Sequence, residues 1–119
     1  MNTNQKIEQA LSDLVDGNIW PLICPLEQKP DTFIVYDPVI EKPDDFGDDY
    51  EGEWIQRLEI NWFSRPKTGS KKPVNYLAAK KQMKERLQEA GFTVTNIIPG
   101  YESDTGYTTC IITCEIAEE

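Results

Sequence analysis

Near the start of the chain, apolar residues recur at three- and four-residue steps, at Ile7, Ala10, Leu11, Leu14 and Val15. That spacing predicts an amphipathic helix with one buried stripe, capped by Thr3 or Asn4 and ended by Gly17. The stretch 18–26 is apolar but carries Pro21 and Pro25, so it reads as a short edge strand or an extended lead-in. After a turn at 28–31, the β-branched and aromatic run 32–36 predicts a strand, with a continuation past Pro38 to Ile40 left open. The clearest strand covers 54–63, where Trp54, Leu58, Ile60 and Trp62 fall on one face and Arg57, Glu59 and Asn61 on the other. Both tryptophans read as core, because the helix stripes need large partners.

A polar linker at 64–73 precedes a second helix, from Pro73 or Val74 to Ala90, whose stripe is Tyr76, Ala79, Met83, Leu87 and Ala90. Gly91 stands where a left-handed cap belongs, and Phe92 can fold back on Leu87. Two further strands, 93–98 and 107–116, are joined by the turn-rich segment 99–106 in a predicted hairpin. On the last strand Cys110, Ile112, Cys114 and Ile116 share a face. The element order is α-β-β-β-α-β-β. The predicted fold is α+β, a four- to five-stranded antiparallel or mixed sheet with two helices packed on one face. Residues 1–119 read as a single domain with an acidic loop at about 41–53 and no internal repeat.

Composition narrows the function more than the fold. At 119 residues and 39% hydrophobic content, the chain can bury one core and is not of a disordered type. No apolar run approaches the roughly 18 residues of a spanning helix, and the N-terminal residues carry no export pattern, so a soluble intracellular protein with no membrane partner is expected. Histidine is absent, which removes the commonest general base and the commonest metal ligand. The three cysteines form no C-x-x-C pair, and Cys110 and Cys114 are about 13 Å apart if both lie on one strand, too far for a disulfide. They read as reduced, buried thiols.

The net charge of −9 is strongly patterned. Residues 41–53 hold seven acids against Lys42, and residues 65–86 hold eight of the twelve bases against Glu85. Asp44, Asp45, Asp48 and Asp49 of the acidic loop and Lys80, Lys81 and Lys84 of the second helix are therefore candidates for head-to-tail contacts between copies. Two solvated surfaces are the plainer alternative. Tyr101 and Tyr107, flanking the last hairpin loop, are candidate exposed interface aromatics. A net acidic chain with no aromatics interleaved among its bases is a poor nucleic-acid binder, so no sequence-specific nucleic-acid partner is expected.

Catalytic and metal patterns fail on spacing. The acidic loop lacks the alternating D-x-D-x-D-G order and distal glutamate of a calcium loop. Ser64-Arg65-Pro66-Lys67 matches S-x-x-K by letter, but Pro66 in a loop does not supply the helix start that this chemistry needs. No catalytic residue, metal or cofactor is expected.

The order of elements and several local features resemble the small tail-completion or tail-terminator proteins of long-tailed bacteriophages and prophages. The residues that carry the resemblance are Ile19-Trp20-Pro21 after the first helix, Phe33-Ile34-Val35-Tyr36-Asp37, and the strand through Leu58-Glu59-Ile60-Asn61-Trp62-Phe63. Ala78-Ala79-Lys80-Lys81 in the helix ending at Gly91-Phe92, and a last strand starting at Tyr107, complete it. The resemblance implies a structural, non-enzymatic virion protein of the tail or neck, assembled in the bacterial host cytoplasm. It implies a ring, usually of six copies, that caps the tail tube and joins it to the head connector, with the tail tube protein, the connector protein and itself as partners. The alternatives are another neck or connector component, a bacterial partner-binding module on a similar scaffold, and a small metal-binding protein using the acidic loop.

Overall fold

The computed structural model describes residues 2–43, 54–67 and 73–118, apart from the side chains at 39–43, 54 and 118. The predicted α+β architecture is observed: one five-stranded mixed sheet with both helices against one face. Helix α1 (Thr3–Leu11) continues into a 3-10 turn at Ser12–Val15. Its cap is Asn2, not Thr3 or Asn4. The Asn2 side chain accepts from the Gln5 N–H while Gln5 Oε1 accepts from the Asn2 N–H, a reciprocal capping box. Thr3 is instead buried in the first turn. The stop involves two residues, Asp16 at φ 52° and Gly17 at φ 80°.

Strand β1 is only Ile19–Pro21 and runs parallel to β2 (Thr32–Pro43), so the apolar 18–26 stretch is an edge strand for three residues and a loop thereafter. β2 pairs antiparallel with β3 (Trp54–Ser64) through a bulge between Pro38 and Ile40, which lets the strand pass Pro38. Helix α2 spans Tyr76–Glu89, capped by Asn75. It ends as its sequence requires: Gly91 at φ 99° allows the Gly91 N–H to reach Gln88 O and the Phe92 N–H to reach Leu87 O, and Phe92 packs in the same core as Leu87.

β4 (Thr93–Glu102) and β5 (Tyr107–Glu118) form a longer hairpin than predicted, because the ladder runs through Pro99 and Gly100 to a four-residue turn at 103–106. Pro99 is tolerated because β4 lies at the sheet edge. The bulge at Thr95 brings Val94 and Ile97, three apart in sequence, to the same helix-facing side. Sheet order is β1-β2-β3-β5-β4, with β5 between β3 and β4.

The main core lies between helices and sheet. Ile7 and Leu11 of α1 and Met83 and Leu87 of α2 meet Ile34, Tyr36, Leu58, Ile60, Trp62, Cys110, Ile112 and Cys114. Trp62 is buried as the alternation predicts. The Tyr36 hydroxyl donates to Glu8 Oε2, tying α1 to the central sheet, and Arg86 ties α2 to the 3-10 turn after α1 through Asp13 at 2.5 Å and to α1 itself through Ala10 O at 3.3 Å. That contact holds the Asp13 carboxyl below its usual range, chiefly through the hydrogen bond from Arg86. Asp13 is exposed and the pair positions the helices more than it stabilises them.

Candidate assembly surfaces

The sheet face opposite the helices is half covered. At one end, the loop after β1 folds over it and builds a second apolar cluster from Cys24, Phe33, Val35 and Tyr107, with Trp20 and Phe63 alongside. Phe33 stacks on Phe63 with ring centroids 4.7 Å apart, and Tyr107 meets both edge-on at 5.5 and 6.0 Å. Such geometries add to the gain from area buried. The Tyr107 hydroxyl donates to Pro30 O at 2.7 Å, and the Arg65 guanidinium sits 4.6 Å over its ring while its Nε bonds Asp31 at 3.1 Å. Burial pushes the Tyr107 phenol up against the opposing pull of Arg65. Tyr107 is therefore a buried pillar under this loop, not the exposed interface aromatic that its place beside the hairpin predicts.

Beside this cluster lies a hollow of about 380 Å³ lined by Ile23, Phe33, Val35, Asp37, Asn61 and Phe63, among others. Its rim is apolar and exposed: Leu22 is 67% and Ile23 72% exposed. The rim is held by backbone. The Leu22 N–H bonds Tyr36 O at 2.9 Å, and the Ile23 N–H reaches back to Pro21 O at 2.8 Å, closing a tight turn with Leu22 at φ 70°. A bulky residue at positive φ costs about 1–3 kcal/mol and persists only where its surroundings enforce it.

Along the same face the chemistry turns from apolar to acidic. Asp37 of β2 stands directly opposite Glu59 of β3, two carboxylates on neighbouring strands. Asn61 Nδ2 donates to Val35 O at 3.1 Å and lies 3.4 Å from Asp37 Oδ2. Arg57, next on β3, is committed to Glu115 across the β3–β5 ladder at 2.5 Å.

The predicted basic face is on α2. Lys81 and Lys84 are exposed, Lys80 is half-buried nearer the sheet, and none of the three joins an ion pair among the described residues. Leu77, one turn before Lys81, is 57% exposed. Tyr101 is exposed on the β4 edge, as expected, and, paired with Thr108, it faces the side of the hairpin opposite Tyr107. Asp44, Asp45, Asp48 and Asp49 lie outside the described residues, so the structure does not place them relative to the lysines. The second aromatic cluster and the Asp37–Glu59 pair were not singled out by sequence. The alternation that set Arg57, Glu59 and Asn61 apart from Leu58, Ile60 and Trp62 carried their face but not their neighbours.

Among the described residues no group of three or more Cys, Asp and Glu side chains is arranged to hold a metal ion. Cys110 and Cys114 are fully buried, and burial pushes both thiols up, Cys114 to about 12, which opposes thiolate chemistry. No described helix is long and apolar enough to cross a membrane.

No protein-family model matches the sequence, and no curated protein matches it. A solved structure does match in fold: a chain of the virion of a native gene transfer agent particle, with a TM-score of 0.62 at 11% identity, covering 97% of this chain and 92% of that one. The two chains share one architecture from end to end. At that identity the likeness is one of fold.

Proposed function

We propose that this chain is a structural component of a phage or phage-like particle, working as a ring that caps the tail tube and joins it to the head connector. The observation that carries this reading is the near full-length likeness to a chain of a gene transfer agent virion, in which neither chain has a large part left over. The exposed apolar side chains of Leu22, Ile23 and Leu77 and the exposed Lys81 and Lys84 support a role in contact. In this reading the protein has no enzymatic activity. Its partners are copies of itself, the tail tube protein and the connector protein, and it works at the tail or neck of the particle.

The test is deletion of the gene in a strain that produces the particles, followed by electron microscopy. Tubes of unregulated length, or tails and heads that fail to join, are expected, and both defects should be repaired by the gene in trans. Particles of normal length and normal joining without the protein would refute the reading.

A further inference from the structure

Two exposed surfaces of the chain complement one another. On α2, Leu77, Lys81 and Lys84 fall at steps of four and three residues on a flank turned away from Met83 and Leu87, so an apolar side chain is followed by two cations. On the helix-free sheet face, the hollow beside Leu22 and Ile23 has apolar walls at Phe33, Val35 and Phe63, and its lining also includes Lys29 and Asp37, the latter directly opposite Glu59 on the next strand. The spacings agree. Lys81 and Lys84 lie about 6 and 10 Å beyond Leu77 along a helix axis, and Asp37 lies about 7 Å beyond Val35 along its strand.

We propose that the α2 flank of one copy docks on the helix-free sheet face of a second copy, with Leu77 entering the hollow beside Ile23 and Lys81 and Lys84 meeting Asp37 and Glu59. This contact rests on the ring proposed above and gives it its surfaces. Three features argue for a second copy as the occupant. The charges on the two surfaces are opposite. Directly opposed like charges on neighbouring strands are unfavourable until a cation is added; Arg57 on that face is engaged by Glu115, and Lys29, which lines the hollow beside Asp37, forms no ion pair with either carboxylate among the described residues. The strained turn at Leu22 keeps two large apolar side chains in water, a cost that an occupant of the hollow offsets. The helix layer and the helix-free sheet face lie on opposite sides of the protomer, so the contact is heterologous and each copy retains one surface of each kind for the next.

The experiment is a charge exchange read by sedimentation velocity. One variant carries Asp37→Lys with Glu59→Lys, the other Lys81→Glu with Lys84→Glu, and each is checked for wild-type circular dichroism. The full-length wild type should associate with rising concentration and weaken between 0.1 and 1 M salt, where the screening length falls from about 10 to about 3 Å. Each variant alone should associate about tenfold more weakly, having two surfaces of one sign. An equimolar mixture should recover association, because each reversed surface then finds its opposite. Leu77→Asp, at an exposed position that the fold does not need, should also abolish association and keeps the test decisive if a double reversal fails to fold. A wild type that stays monomeric to about 1 mM, reversals without effect, or a mixture without recovery would overturn the contact. Rings indifferent to these substitutions would remove this interface and leave the proposed function standing, which deletion of the gene tests separately.

Discussion

Replacing Tyr36 by phenylalanine removes one oxygen from the junction of α1 and the sheet and leaves the ring in place. Tyr36 is 1% exposed, and its hydroxyl donates to Glu8 Oε2 at the margin of the core. A hydrogen bond to a charged acceptor contributes about 1.5–3 kcal/mol, so Tyr36→Phe should lower unfolding stability at pH 7 by about that amount. Burial first, then the hydrogen bond and negative charge of Glu8, raise the phenol above its ordinary value of 10.0. A raised phenol favours the protonated form in the folded state, so its contribution is complete below pH 10 and is lost as pH climbs above it. The wild type should therefore lose stability above pH 10 at no more than about 1.4 kcal/mol per pH unit from this group, and less where water reaches the oxygen. The variant lacks that loss. Urea unfolding from pH 7 to pH 11.5 should show the two curves converging as pH rises. A gap that stays constant or widens would refute both the hydrogen bond and the assigned cause of the shift.

Trp62→Ala should cost about 3–5 kcal/mol, read as a lowered urea midpoint, because the indole is buried between β3 and the helices; a fold left intact with only a binding defect would contradict its place in the core. Cys110 and Cys114 should resist a thiol reagent at pH 8 in the folded protein and react fully once unfolded, since both are buried and their thiols are raised. Rapid labelling of either under native conditions would count against the packing described.

Much of the core was readable from local pattern. The stripes of α1 and α2, the alternation of β3 at Leu58, Ile60 and Trp62 and the Gly91-Phe92 closure each depend on residues within one element, and each stands where its spacing put it, while the Trp54 side chain lies outside the described residues. What escaped depends on partners far along the chain. The sequence leaves open whether the strand passes Pro38 and predicts a strand end before Pro99, and a bulge and an edge position carry the ladders through both. Tyr107 looked exposed because it flanks a hairpin turn, while Phe33, Phe63 and the loop over them bury it. Asn2, Thr3 and Asn4 all carry side chains able to cap α1, and only the reciprocal bonds of Asn2 with Gln5 decide among the three. Of the candidate surface, the lysines of α2 follow from helix periodicity, whereas the facing of Asp37 and Glu59 needs the strand register.

The position of β5 has a consequence for biosynthesis. It is translated after every other described element, yet it is inserted between β3 and β4 and supplies ladder bonds to both. Until residues 107–118 leave the ribosome, a nascent chain presents an open β3 edge and an unattached β4, which is the condition in which foreign strands add on. Messages truncated within this segment should yield insoluble product, and chaperones that shield nascent strands should matter most until residues 107–118 have emerged.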